Sequence, residues 1–202
     1  MQNFDQKANT KELFSFILGS GSPRRKELLG KIISDFSVVV SDAEEIKSHP
    51  DGPLSLVMEN ARLKATSVSF QYPDKWILGA DTLVFLGERV LGKPKDREDA
   101  SAMLRFLSGK THQVSTGLCI INKAGGYEKT EVETSDVTFK EIGESTIQQY
   151  FQAVNPLDKA GGYAIQTRAD LIIEKFEGSH SNVVGLPVEM LRNWLAELGI
   201  TR

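Results

Sequence analysis

Short apolar runs alternate along the chain with segments whose apolar residues return every three or four positions, which predicts strands interleaved with helices. Phe14-Ser15-Phe16-Ile17-Leu18 reads as a strand, followed by Gly19 and Gly21, then Ser22-Pro23 as N-cap and first helical residue, with Leu28 and Leu29 turned inward. Phe36 to Val40 reads as a second strand that delivers Ser41-Asp42-Ala43-Glu44-Glu45 at its end. Val57, Ala61, Ala65 and Val68 mark a helix over Leu54 to Phe70, after which Trp76 to Ala80 is a strand-like run. Leu83 to Leu86 and Val90-Leu91 flank a Gly87-Glu88 turn and predict a hairpin. Asp96 caps an expected helix with Ala100, Met103, Leu104 and Leu107 on one face, ending at Gly109. Val114 to Ile121 and Glu131 to Phe139 read as strands on either side of Gly125-Gly126. Ile147, Tyr150, Phe151 and Val154 mark a further helix, Leu171 to Phe176 a strand, and Pro187 opens a last helix with Leu191, Trp194, Leu195 and Leu198 inward. The interleaving predicts an α/β fold, and the hairpins make its sheet mixed rather than purely parallel.

Composition narrows the function classes. With 40% hydrophobic residues in 202, the chain can bury a core without disulfides, and its one cysteine, Cys119, reads as a buried, inert thiol suited to a reducing cytoplasm. The expected organisation is an N-terminal extension over residues 1–13 and one unit over 14–202. Apolar runs such as Trp76 to Ala80 fall far short of the roughly 20 residues a membrane helix needs. Met1 to Lys11 lacks the apolar stretch of a secretory signal. A net charge of −3 gives no global pull on a polyanion, so affinity for phosphate has to be local, and DNA or RNA is not the expected partner.

Local phosphate chemistry is offered first by Gly19 to Lys26. Arg24 and Arg25 occupy the second and third helical positions, where the helix dipole opposes cations by roughly 0.3–1 kcal/mol each. An arriving anion reverses that penalty, and free N–H groups with the hydroxyls of Ser20 and Ser22 add donors. The plainer reading is a capped surface helix with solvated arginines. The segment lacks the Gly-Lys-Ser/Thr ending of a Walker loop. Asp81 follows an apolar strand and is either a buried structural acid or a catalytic group at a strand end. Lys64 shares the inner face of Val57, Ala61 and Val68, either aimed into a site or snorkelling at its edge. Lys93 is held between Gly92 and Pro94 in a turn that is otherwise an ordinary polar loop. Glu44 and Glu45 suit a divalent cation, since Mg²⁺ needs only one or two carboxylates plus substrate oxygens; acidic loops without metal are also common. Asp158 to Gln166 places an amide next to a glycine-rich loop. His49, His112 and His180 lack zinc spacing, and no Ser, His, Asp set suggests a triad.

Taken in order, these segments resemble the Maf family of nucleotide pyrophosphatases from about Ile17 to Leu198. Gly19 to Leu29 is similar to the family's Ser-Pro-Arg-Arg opening, and Gly79-Ala80-Asp81-Thr82 to its Gly-Ala-Asp-Thr motif. Gly92-Lys93-Pro94, Leu107-Ser108-Gly109-Lys110-Thr111-His112, Asp158 to Gln166 and Val184-Gly185-Leu186-Pro187 complete the series. The first dozen residues have no counterpart, and Gly19 stands where many relatives carry alanine. The resemblance implies an elongated, two-lobed fold related to the inosine triphosphatases, with a central cleft and a homodimer. It also implies divalent-metal-dependent (Mg²⁺ or Mn²⁺) cleavage between the α and β phosphates. By motif position, Asp81 matches the proton acceptor, with Glu45 and Asp81 as metal-site residues and Ser22, Arg24, Arg25, Lys64 and Lys93 on the phosphates. Arg24, Thr82 and Gln166 match positions tied to base choice. The Gly-Tyr-Ala-Ile-Gln loop resembles the subgroup acting on dTTP and UTP rather than the one acting on 7-methyl-GTP. A nucleotide-binding regulator of septum formation is the competing reading; such a sensor would have no need of Asp81.

Overall fold

The computed structural model describes residues 15–200, so the extension expected over 1–13 lies outside the described residues. Strands β1 (Phe16–Leu18), β2 (Ser37–Val38), β3 (Trp76–Leu86), β4 (Arg89–Leu91), β5 (Thr111–Asn122), β6 (Tyr127–Phe139) and β7 (Ile173–Glu177) form one mixed sheet. Its order is β2-β1-β3-β5-β6-β7, with β4 paired to β3. The helices are α1 (Pro23–Gly30), α2 (Pro53–Gln71), α3 (Arg97–Leu107), α4 (Glu144–Ala153), α5 (Ala169–Ile172), α6 (His180–Val184) and α7 (Val188–Glu197). None is long and apolar enough to cross a membrane.

Three apolar clusters give the molecule two lobes. Near β1, Leu18, Leu78, Leu118 and Ile120 meet α1 and α7 through Leu29, Leu191 and Trp194 on one face of the sheet. On the opposite face, Ile17, Ile77, Cys119 and Ile121 meet Ala61, Ala65 and Val68 of α2. Burial pushes the Cys119 thiol up to about 12, so it is inert as expected. At the far end, Val84, Val114, Val137 and Phe139 pack with Leu104, Leu107, Ile147 and Tyr150 of α3 and α4. The long strands β3 and β5 run through both lobes, paired antiparallel from Ile77↔Ile121 to Phe85↔Gln113.

The other edge of β3 is where the sheet opens. It pairs parallel with β1 at Trp76, Ile77 and Leu78, and antiparallel with β4 at Val84, Phe85 and Leu86. Between those pairings, no strand among the described residues lies beside Gly79 to Leu83 on that edge. The strand expected to stop at Ala80 instead continues to Leu86, because β5 supports it on its other side throughout. Asp81 therefore lies within a strand, just past Leu78, where the parallel pairing with β1 ends. A ligand crevice at such a switch in sheet topology is a general property of open α/β sheets.

Close approach of α2 sets the depth of this opening. An ideal Cβ on Gly79 would stand 2.2 Å from the Ala61 carbonyl oxygen, and one on Gly117 2.6 Å from that of Val57. Only glycine lets the helix rest directly on β3 and β5 there. Elsewhere, the expected strand over Leu171 to Phe176 begins with the single helical turn α5, and α6 was not foreseen.

Candidate active site

A cleft of ≈ 640 Å³ occupies the opening in the sheet, and nine of the residues singled out from the sequence line it: Ser22, Arg24, Arg25, Glu45, Lys64, Asp81, Thr82, Lys93 and Gln166. The α1 side supplies the first three, α2 and its preceding loop supply Lys64 and Glu45, and β3 forms the floor. Lys93 and Gln166 come from loops of the other lobe.

Successive residues of a strand face opposite sides of the sheet, and Asp81 and Thr82 divide the floor on that rule. Asp81 is turned towards α2 and is only 6% exposed, so its charge depends on local partners. Lys64 Nζ stands 2.7 Å from Asp81 Oδ1 and 2.7 Å from Glu45 Oε1. Partial burial works against the charge of Glu45, but the hydrogen bond and charge of Lys64, then Lys93 and Arg25, outweigh it. The net effect holds this carboxyl below its ordinary value.

Thr82 is turned the other way, to Arg25. The Arg25 guanidinium enters the gap in the sheet edge and is distributed over four acceptors. Nε donates to the Gly185 carbonyl (2.9 Å), Nη1 to Ser20 Oγ (3.1 Å) and the Ala80 carbonyl (2.9 Å), and Nη2 to Thr82 Oγ1 (2.9 Å). Burial pulls its pKa down, opposed chiefly by the charges of Asp81 and Glu45. Thr116 Oγ1 donates to the Asn182 carbonyl (3.0 Å), so the 3.0 Å contact between Thr82 and Thr116 has Thr82 as donor. The proton order therefore runs from Arg25 through Thr82 and Thr116 to Asn182. With its proton directed to Thr116, the Thr82 hydroxyl accepts from Arg25 and orients that guanidinium.

Ser22 caps α1 as expected, its Oγ accepting from the Arg25 amide at 3.4 Å. Arg24 crosses the cleft mouth to Asp158, with Nη1 2.8 Å from Oδ2 and Nη2 3.2 Å from the carbonyl oxygen. Both arginines resist the α1 dipole because each has acceptors from distant parts of the chain. Lys93 and Gln166 are exposed on the opposite wall. The backbone ties their two loops together, Gly161 N–H donating to the Gly92 carbonyl at 3.0 Å.

The profile of the Maf-like protein family matches residues 15–198. The chain belongs to the Maf family. Among curated relatives of this Maf chain, the dTTP/UTP pyrophosphatase of Deinococcus radiodurans is 45% identical over 185 residues, covering 92% of this chain and 93% of the relative. That of Akkermansia muciniphila is 45% identical over 183 residues, covering 91% and 96%. Solved structures of Ham1 proteins share the fold. The Staphylococcus aureus protein aligns with a TM-score of 0.56 at 15% identity over 91% of this chain and 99% of that one, and the Coxiella burnetii protein with 0.51 at 11% over the same shares.

This Maf site also contains a residue the sequence reading passed over. Asn60 of α2 is 2% exposed; its Oδ1 accepts from the Ile46 amide (2.9 Å), and its Nδ2 donates to the Ile46 carbonyl (3.1 Å) and to Asp81 Oδ2 (3.4 Å). One amide thus fixes the loop bearing Glu45 relative to Asp81. The available signal was its position between Val57 and Lys64 on the buried face of α2, where a neutral amide stands among apolar neighbours. Glu44, in contrast, stays exposed and outside the cleft lining. Among the described residues, no group of three or more His, Cys, Asp or Glu gathers as a metal cage.

Proposed function

We propose that this Maf chain hydrolyses nucleoside triphosphates, dTTP and UTP foremost, to the nucleoside monophosphate and pyrophosphate. The observation that carries the reading is the pairing of Lys64 with both Glu45 and Asp81 in the same cleft as Arg25 and Lys93. Such a site can neutralise a polyphosphate on one side and place an oxygen base on the other. The names of the relatives at 45% identity supply the substrates.

Phosphoryl cleavage rests mainly on positioning and charge neutralisation. Arg25, locked by its four acceptors, presents a preset positive charge to the phosphates. Lys93 adds a second from the facing loop, and Arg24 is exchanged from Asp158 to the nucleotide. Asp81 Oδ1 is taken by Lys64, while among the described residues Oδ2 has only the long 3.4 Å contact with Asn60. Oδ2 is the oxygen open to one of two roles, taking the proton of the attacking water or joining Glu45 as a metal ligand. Gln166 reads the base edge through its amide.

A divalent cation belongs to the same proposal. Two carboxylates converging on one ammonium are hard oxygen donors in the number Mg²⁺ requires beside substrate oxygens, so Glu45 and Asp81 would hold Mg²⁺ or Mn²⁺. When bound, the cation supplies charge neutralisation at the phosphate oxygens. A homodimer in the cytoplasm, implied by the family resemblance, also belongs to the proposal; light scattering and cell fractionation test it.

A panel of nucleoside triphosphates with Mg²⁺ or Mn²⁺, read as pyrophosphate release, tests the function. Fastest release from dTTP and UTP is the expected result. Binding across the panel without turnover would make the protein a nucleotide-binding regulator, and preference for 7-methyl-GTP would reassign its substrate.

A further inference from the structure

Two buried side chains from outside the Asp158 to Gln166 loop fix its cleft-facing part. Tyr150 of α4 is fully buried and does not line the cleft. Its Oη donates to the Ala164 carbonyl at 3.1 Å and accepts from the Ala164 N–H at 2.9 Å, so a single oxygen satisfies both backbone groups of that residue. One position earlier, Tyr163 Oη meets His112 Nε2 of β5 at 2.7 Å, and Phe139 packs edge-on against both rings. The chain reaches this point through Gly161 and Gly162, both in the left-handed region at φ 69° and 74°. Such a turn has high conformational freedom when released. Tyr163, Ala164, Ile165 and Gln166 all line the cleft.

We propose that Tyr150 is a specificity-positioning residue, whose hydroxyl presets Tyr163 to Gln166 so that Gln166 meets the nucleotide base in a fixed place, with His112 as the second anchor. This rests on the reading of Gln166 as the base-recognising side chain. The phosphate-binding groups Arg25 and Lys64 and the acid Asp81 stand on other elements, so loss of the anchor leaves the phosphate end of the site assembled. Without the hydroxyl, two backbone groups lose their partner and the segment samples other conformations before binding. Binding then requires an ordering step that the native loop does not need.

The test is Tyr150→Phe, which removes one oxygen and keeps the ring. KM for dTTP and UTP rises about tenfold, the loss of the order of one to two hydrogen bonds, and kcat stays within about twofold. The ratio of kcat/KM for UTP over ATP falls by about the same factor as KM rises. Tyr150→Phe in a Gln166→Ala background leaves that ratio where Gln166→Ala alone puts it, because the two act through one contact. A Tyr150→Phe ratio equal to wild type, or a uniform loss of kcat across the panel, overturns the proposal and leaves Tyr150 a packing residue. If Tyr150→Phe lowers the ratio but Gln166→Ala does not, the base reading of Gln166 fails while positioning by Tyr150 stands. Should the variant not fold, amide exchange in the wild-type protein decides: slow exchange at Ala164 without nucleotide supports the preset loop, and exchange at the rate of an open loop overturns it.

Discussion

Replacing Gly79 by alanine adds one methyl group at the contact that seats α2 on the sheet, and the structure gives the size of the effect. The new Cβ would lie 2.2 Å from the Ala61 carbonyl oxygen, 2.7 Å from the Ala65 nitrogen and 2.9 Å from the Ala65 Cβ. Raising the shortest of these to the 3.0 Å that real Cβ atoms keep needs about 0.8 Å of withdrawal. The obstacle is helix backbone, so no rotamer change relieves it. Overpacking at this level costs about 2–3 kcal/mol, and for a chain of this size each kcal/mol lowers Tm by about 2–4 °C. The expected drop is therefore roughly 4–12 °C by calorimetry. The same withdrawal carries Lys64 away from Asp81, a 2.7 Å contact, and a misplacement approaching 1 Å costs on the order of 10²-fold in kcat/KM. Thermal scans and pyrophosphate release on one preparation read both effects. A Tm within about 1 °C of wild type with undiminished turnover would refute the argument that α2 rests on Gly79 and that its seating sets the Lys64–Asp81 contact.

Other perturbations reach different parts of the site. Arg25→Lys cannot reproduce a planar fork shared by four acceptors, and it should lower kcat/KM for dTTP by about 10²-fold and stability by about 2 kcal/mol; steady-state kinetics and urea melts check it. Lys64→Met removes the main partner holding the Glu45 carboxyl low, so the acid limb of the kcat/KM–pH profile should move to higher pH; an unmoved limb excludes Lys64 as its cause. His112 carries the clearest pH signal in the fold. Burial pushes its pKa down to about 4 from the ordinary 6.5, so the unfolded chain binds the proton first. That stability is fully present above pH 6.5 and is lost as pH falls through about 4, by about 3 kcal/mol in all. His112→Gln should flatten the urea-midpoint profile across this window. Gln166→Ala should weaken discrimination between bases more than it weakens triphosphate binding, and an unchanged substrate panel would remove Gln166 from recognition.

What the sequence made legible was set by how local each signal is. Ser22 and Asp96 cap their helices through bonds three residues away, and both starts were read correctly. The heptad-like face of α3 and the strands around Gly125-Gly126 were equally plain. In contrast, β3 was split at Asp81-Thr82, because two polar residues interrupt its apolar pattern. Their partners come from other elements: Lys64 from α2, Arg25 from α1 and Thr116 from β5. The helix α6 has five residues, too few for a period to show, yet the carbonyl of the adjoining Gly185 helps to hold Arg25. Lys64 was legible as a cation on an apolar face. What it touches was not, since no local pattern encodes one carboxylate from the middle of β3 meeting another from the loop before α2. The roles of Tyr150 and Asn60 were hidden for a related reason: each sits at a core position, and what matters is the aim of its polar atoms, at Ala164 for Tyr150 and at Ile46 and Asp81 for Asn60.

The most direct test of the account is product analysis of dTTP turnover by the wild-type protein and by Asp81→Asn, with nucleotide binding measured on the same samples. The account predicts dTMP and pyrophosphate in equal amounts from the wild type, and an asparagine variant that binds dTTP but releases almost no pyrophosphate. Formation of dTDP with inorganic phosphate, or turnover by Asp81→Asn close to the wild-type rate, would contradict it.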